Sequence, residues 1–175
     1  GGTAPAAELY DPATGAFSTT GKYSSWPGDF NTCQAAVSTL RPDGKVLIVW
    51  EEPAPGAPAR GGTAAEIYDP DSGTFATTGT TIALSHNDGL PTATLLMNGK
   101  VLVAGGATDG DHLPTGAELF DSSTGTFTAT GSMIMGHVGH TATLLPDGAV
   151  LLAGSFFLLD SLATVELYDP VKGES

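Results

Sequence analysis

Short apolar runs that alternate with turn signals follow one another along the chain. The clearest case is the stretch 92–127, TATLLMNGKVLVAGGATDGDHLPTGAELFDSSTGTF. It holds an apolar run, an Asn-Gly turn at 98–99, a second apolar run that ends in Gly-Gly at 105–106, a loop, an alternating Glu-Leu-Phe segment at 118–120 and a Thr-Gly turn. Apolar runs of this kind joined by Asn-Gly turns predict strands and hairpins. The stretch therefore predicts four antiparallel strands.

The same order of elements recurs on both sides of this stretch. TATLLPDGAVLLAGS and VELYDPVKG follow it, whereas VSTLRPDGKVLIV and AAEIYDPDSGTF precede it, and AAELYDPATGAF stands near the start. The repeated glutamates, Glu8, Glu66, Glu118 and Glu166, are separated by 58, 52 and 48 residues. A period of about 50 residues with hairpin signals is typical of a β-propeller.

The Gly-Gly pair at 105–106, the Glu-Leu-Tyr-Asp-Pro segments and the Thr-Gly turns resemble bacterial kelch repeats. In particular, they look like the blades of galactose oxidase-like and secreted kelch proteins. The resemblance covers nearly the whole chain. It implies an all-β fold, a kelch-type β-propeller arc of four-stranded antiparallel blades, with about three to three and a half blades in this chain. It implies little about activity, because propellers host many unrelated functions.

The repeat divides the chain into a partial blade with a loop at 1–32, a blade at 33–89, a blade at 90–139 and a partial blade at 140–175. A propeller closes typically four to eight blades into a ring. An arc of this size leaves blade faces uncovered, because each blade is buried by its neighbours. Two solutions are open. Either the protein continues beyond these residues, or a homodimer related by a two-fold axis places residues 6–20 of each chain beside residues 140–154 of the other.

Charge and composition narrow the class of partner. Nineteen acidic and six basic residues give a formal net charge of −13, which argues against nucleic acid or an anionic membrane surface as partner. No apolar run approaches the ~20 residues of a membrane-spanning helix. A single cysteine, Cys33, excludes an intrachain disulfide framework. Sparse Lys with abundant Thr and Gly favours an extracellular or periplasmic location.

The connections between strands differ at the two ends of the predicted blades. The first-to-second and third-to-fourth turns are short and repetitive, and they share one end, here called the turn end. The other connections are long and varied, and they share the opposite end, here called the variable end. Because variable loops on a rigid scaffold usually carry binding residues, we predict a noncatalytic scaffold that binds a protein or a glycan there.

The candidate binding residues at the variable end are aromatic, charged or imidazole side chains: Trp26, Trp50, Glu51, Arg60, His86, Asp88, His112, His137, His140 and Phe156. Trp50 stands where the repeat would have Gly-Gly. It either faces a ligand or fills space in an irregular blade.

Metal binding is the alternative at the same end. His137 and His140, joined by His86 or Asp88, could hold zinc or a similar ion. The alternative function is therefore an enzyme with a metal-assisted site at the ring centre, built from these histidines and acidic loops. The acidic loop at 109–111 could hold calcium. Histidines bonded to the backbone and a solvated acidic turn are favoured over both, so no cofactor is expected.

Galactose oxidase-like enzymes use this blade type to bind copper, and the chain resembles them from Asp29 to Cys33. That resemblance implies a Cys cross-linked to a Tyr at the start of the next inner strand, with another Tyr and two His as copper ligands. The matching positions of the two following blades hold Leu90 and Gly139. The sequence therefore disfavours copper-radical oxidation and favours a protein that is not an enzyme.

The repeat also predicts local structure. Gly99 and Gly148 should lie in two-residue hairpins with positive φ. A set of apolar strand residues should be almost fully buried between blades: Val46, Ile48, Val101, Val103 and Leu151.

Overall fold

The computed structural model describes residues 6–22, 36–51, 63–79, 91–106, 115–157 and 160–173. Within these ranges the chain forms thirteen strands and no helix. The strands are β1 (Ala6–Asp11), β2 (Ala16–Lys22), β3 (Ala36–Leu40), β4 (Val46–Glu51), β5 (Thr63–Asp69), β6 (Thr74–Thr77), β7 (Thr92–Leu95), β8 (Val101–Ala104), β9 (Ala117–Asp121), β10 (Thr126–Ala129), β11 (Thr141–Leu144), β12 (Val150–Phe157) and β13 (Asp160–Tyr168). No helix that could cross a membrane is found in the described ranges.

The strands form four antiparallel sheets that follow one another in chain order. Sheet A is the hairpin β1–β2, sheets B and C are four-stranded (β3–β6 and β7–β10), and sheet D is β11–β13. The first strands β3, β7 and β11 contact one another in succession, and β2 contacts β6. The predicted all-β fold with four-stranded antiparallel sheets is thus confirmed, and the arrangement is consistent with a β-propeller-like arc.

The turn between the first and second strands has one residue more than the sequence predicts. The N–H of Leu96 donates to the Lys100 carbonyl at 2.8 Å, and the N–H of Gly99 donates to the Leu96 carbonyl at 3.0 Å. These bonds leave a three-residue loop, a type I turn followed by a glycine bulge. Gly99 and Gly148 have φ of 80° and 93°. The positive φ is therefore confirmed, whereas the two-residue loop is wrong.

The turn that follows the Glu-Leu-Tyr-Asp-type strand of each sheet (β1, β5, β9 and β13) is closed by an aspartate. In sheet C, the Asp121 carboxylate accepts the N–H of Ser123 at 2.9 Å and its hydroxyl at 2.6 Å. The hydroxyl bond, the backbone bond and then Lys100 lower the pKa of Asp121 to about 2. Asp11, Asp69 and Asp169 accept equivalent backbone bonds. The turn end is therefore built from one repeated motif, in which an aspartate accepts backbone N–H groups of its own turn.

Neighbouring sheets pack through two unlike faces, which we call the aliphatic face and the aromatic face. The aliphatic face of sheet B packs on the aromatic face of sheet C, with Leu47, Val49 and Ala65 against Val101, Val103, Phe120 and Phe127. The aliphatic face of sheet C packs in the same way on sheet D, with Leu102, Ala104 and Ala117 against Val150, Leu152 and Tyr168 of that sheet and Met133 of the connection before it. One inter-sheet interface is therefore formed twice within the chain.

This packing decides which predicted core residues are buried. Val101 and Val103 are fully buried and Ile48 almost fully, so these predictions are confirmed. Val46 and Leu151 are only half-buried, so these two predictions are wrong. Val46 lines a groove beside sheet A. Leu151 belongs to the aliphatic face of sheet D, which carries no further sheet.

Glycines in or just after the last strands of sheets A, B and C make a second repeated contact between sheets. The N–H of one glycine donates to a turn glycine of the next sheet in three pairs, Gly21 to Gly73, Gly79 to Gly125 and Gly131 to Gly173. A Cβ built on Gly79 would lie 2.8 Å from the Gly125 carbonyl oxygen. A larger residue there would push the two sheets apart, so the close approach requires glycine.

We predict that Val103→Ala lowers the free energy of unfolding by about 1–3 kcal/mol, because it removes buried methyl groups and leaves a cavity. Urea denaturation followed by circular dichroism measures the change. Val171→Ala is the matched control, since Val171 is 94% exposed, and it should leave the midpoint nearly unchanged. Equal effects of the two substitutions would contradict the packing described here.

Candidate functional site

The connection 130–140, from β10 to β11, is the part of the variable end that the described ranges show most completely. It passes over the aromatic side of sheet D and ends beside sheet C. Its buried members are Met133, Gly136, His137 and His140, while Ile134 and Met135 are exposed. The connection therefore has an anchored inner side and a solvent-facing outer side.

A buried carboxylate anchors the connection. Glu166, on β13, accepts the N–H of Ile134 on Oε2 and the N–H of Met135 on Oε1, both at 2.7 Å. Bonds from backbone N–H groups to a carboxylate are charge-assisted and short. They also satisfy a carboxylate that would be costly to bury alone. Glu166 therefore fixes the backbone of the loop from below.

His137 adds a second anchor beneath the loop. The side chain is fully buried, with Nδ1 2.8 Å from the Gly154 carbonyl oxygen and Nε2 3.2 Å from Glu166 Oε1. A carbonyl only accepts, so Nδ1–H is the donor. Nε2 lies within hydrogen-bonding distance of a carboxylate oxygen of Glu166. Both ring nitrogens are thus engaged in holding the loop.

His140 packs beside this pair on sheet C. Its ring centre is 5.3 Å from that of His137, and its Nε2 is 2.9 Å from Thr92 Oγ1. Burial, and then the neighbouring His137, lower the pKa of His140 to about 4. A neutral imidazole at neutral pH follows. Gly105 makes room for the ring, since a Cβ there would lie 2.5 Å from His140 Cε1.

The structure brings together two of the predicted site residues, His137 and His140, at the start of β11. Trp50 is buried beside Ile48, Tyr68 and Phe75, as in the space-filling alternative. Glu51 ends β4 and Phe156 lies in β12. The remaining candidates lie outside the described residues, as do Cys33 and the 109–111 loop: Trp26, Arg60, His86, Asp88 and His112. A binding role for the ten candidates stays a prediction.

The described residues do not assemble a metal site. Among them, no three His, Cys, Asp or Glu side chains lie close enough together to hold an ion. His137 would have to release Gly154 or Glu166 to bind a metal. The pair of histidines is therefore explained by the anchoring of the loop.

Sequence reasoning missed the repeated glutamate as an anchor and the two apolar residues that it positions. The sequence pattern makes Glu118 the polar residue of an alternating strand, yet Glu66, Glu118 and Glu166 are all buried. The usable signal was a carboxylate that recurs at one repeat position between apolar residues. Ile134 and Met135 carry no such signal, because an isolated apolar pair in a loop does not show which way it faces.

Comparison with known proteins supports the fold. The sequence matches no family model, and no curated protein matches it. Matches among solved structures include a novel fungal alcohol oxidase with catalytic diversity among the AA5 family, in complex with copper. The two chains share 16% identity with a TM-score of 0.56, over 81% of this chain and 29% of the oxidase. At this identity, the likeness shows the fold alone.

This likeness corrects two expectations from the sequence. The expectation that the protein is not an enzyme is wrong, because the fold that it shares belongs to a copper-containing alcohol oxidase. That expectation rested on the residues at two positions, Leu90 and Gly139. Two positions are too few to exclude oxidase chemistry, because the chain aligns with only 29% of that enzyme. The expectation of no cofactor, with calcium or zinc as alternatives, is also wrong, because the metal in that structure is copper.

We predict that Glu166→Gln lowers the free energy of unfolding by about 1–3 kcal/mol, because one backbone N–H then faces an amide donor in a buried site. The amides of Ile134 and Met135 should also exchange faster with deuterium. Glu8→Gln is the matched control, since Glu8 holds the same repeat position but is exposed. Unchanged exchange at Ile134 and Met135 in Glu166→Gln would contradict the anchoring role.

Proposed function

We propose that this chain is a kelch-type propeller segment that binds a partner through its variable end. Of the two partner classes predicted from the sequence, we propose a protein rather than a glycan. The observation that supports this choice is the pair of exposed apolar side chains on the anchored connection 130–140. Ile134 is 76% exposed and Met135 is 45% exposed.

Rigidity of the connection supports a binding role. The backbone N–H groups of Ile134 and Met135 are both bonded to Glu166, and His137 is bonded on both ring nitrogens. A surface that is already ordered loses less conformational entropy on association, so more of the contact energy is available for affinity. The chain thus uses buried polar groups to hold two apolar groups in solvent.

The nature of the two side chains supports a protein partner. Exposed apolar patches tend to mark protein contacts, and methionine adapts to irregular surfaces. Sugars are bound more often through several polar groups and flat aromatic rings, whereas the exposed side of this connection has no Phe, Trp or Tyr ring and carries Ser132 as its exposed polar side chain. The net charge of −13 further favours a partner with a neutral or basic surface around an apolar centre.

The test compares the wild-type chain with the double variant Ile134→Ser/Met135→Ser. Both chains are immobilised and probed with proteins secreted by the source culture and with a glycan array. We expect a protein that binds the wild-type chain, and we expect the double variant to bind it at least about tenfold more weakly.

The matched control is Met97→Ser/Val171→Ser, which removes two exposed apolar side chains from the turn end. It should bind like the wild-type chain. Binding that survives in Ile134→Ser/Met135→Ser, or that is lost in the control, would contradict the proposed surface. Binding to glycans alone would favour the other partner class.

A second candidate function is alcohol oxidation with copper, and the fold shared with an alcohol oxidase favours it. No three His, Cys, Asp or Glu side chains of the described residues lie close enough together to hold the metal, so this candidate concerns residues outside the described ranges. Incubation with Cu(II), removal of unbound metal and metal analysis measure retained copper, and oxygen uptake with an added alcohol measures turnover. Stoichiometric copper with alcohol-dependent oxygen uptake is the expected result. Failure to retain copper would contradict this candidate for the 175-residue chain.

A further inference from the structure

Sheets A and D each expose a face whose counterparts elsewhere in the chain are covered. On the aliphatic face of sheet D, Val165 is 65% exposed and Leu167 is 54% exposed. Their equivalents in sheets B and C are buried or half-buried against the next sheet: Ala65, Ile67, Ala117 and Leu119. Sheet D therefore carries the same apolar face, and no sheet formed by the described residues covers it.

Sheet A exposes the opposite kind of face. Tyr10 is 56% exposed and Phe17 is 67% exposed, and their ring centres are 5.1 Å apart. The same aromatic pair recurs with 4.8 and 4.9 Å between ring centres in sheets B and C, where it is buried, as Tyr68–Phe75 and Phe120–Phe127. Sheet A, a two-stranded hairpin, therefore carries the aromatic pair of that face with the ring spacing that packs elsewhere.

The repeat glutamate of sheet A, like the aromatic pair, lies on an uncovered side of the sheet. Glu8 is exposed, whereas Glu166 is buried beneath the connection from sheet C to sheet D and accepts two of its backbone N–H groups. Nothing lies within 4 Å of a Cβ built on Gly15, whereas Gly173, at the same turn position, lies beside Thr130 of the preceding sheet. The aromatic side of sheet A therefore has the acceptors that a preceding sheet uses, and no sheet formed by the described residues covers it.

We infer that these two faces bind each other between two copies of the chain, head to tail. The aliphatic face of sheet D on one copy packs on the aromatic face of sheet A on the next. Both halves are present in one chain, and the chain forms the same type of interface twice internally. The exposure of all four side chains shows that the halves do not meet within one copy.

This association specifies which faces pack together, whereas the two-fold pair predicted from the sequence specifies only that residues 6–20 of each chain lie beside residues 140–154 of the other. Unlike faces make a heterologous contact. It closes when two copies form both contacts at once, and otherwise it leaves one free face of each kind on a pair and permits addition of further copies. It is also independent of the proposed partner surface, because Ile134 and Met135 lie in a connection and on neither face. The two proposals can therefore fail separately.

Two single variants of the full 175-residue chain test the inference by sedimentation velocity over a concentration series. Leu167→Glu places a charge on the aliphatic face, and Phe17→Glu places one on the aromatic face. Both sites are exposed within a single copy, so circular dichroism should show a native spectrum. We expect the wild-type chain to associate and each variant alone to associate at least about tenfold more weakly, because a charge would be buried in the contact.

The decisive measurement is the mixture of the two variants. Leu167→Glu keeps an intact aromatic face and Phe17→Glu keeps an intact aliphatic face, so the mixture should form one-to-one dimers that do not grow. Val171→Glu, at the turn end, is the control and should associate like the wild-type chain. A wild-type chain that stays monomeric, or variants that remain monomeric when mixed, would overturn the inference.

Discussion

Face-to-face packing of sheets is the constraint on which the rest of this structure depends. A four-stranded sheet has two faces and cannot bury either of them by itself. Here the aliphatic face of one sheet covers the aromatic face of the next, so that Val103 and Phe120 of sheet C are buried against Leu47 of sheet B. The stability of each sheet is therefore tied to its neighbours, as in other repeat proteins, and unlike faces remain at the two ends of the array.

The same packing explains why a buried carboxylate can organise the variable end. Glu166 lies on β13, where the sheet beside it and the connection above it exclude water. In that setting its bonds to the Ile134 and Met135 N–H groups, and its contact with His137, satisfy charge that water would otherwise solvate. The loop is fixed as a consequence, and its apolar side chains are held outward. The packing that buries Glu166 is thus also what holds Ile134 and Met135 at the surface.

The contacts of His137 and His140 give these two histidines a different role from the metal binding that the sequence suggests. From the sequence, His137 and His140 were a possible metal pair. In the structure, His137 bridges Gly154 and Glu166, while His140 fills the space left by Gly105 and bonds to Thr92. The fold shared with a copper-containing alcohol oxidase leaves oxidase chemistry open for the protein, and it does not transfer that role to these two side chains.

The sequence by itself determined the repeat, the antiparallel strands and the glycine turns, because hydrophobic alternation and turn residues act over a few neighbouring positions. Gly99 and Gly148 took positive φ as their motif requires. Only the tertiary structure decided that Gly79 serves the approach of two sheets, that Leu151 is half-buried while Leu102 is buried, and that Glu166 holds a loop. Each of these depends on contacts between residues about 30 or more positions apart or on the presence of a neighbouring sheet, and no local pattern records either.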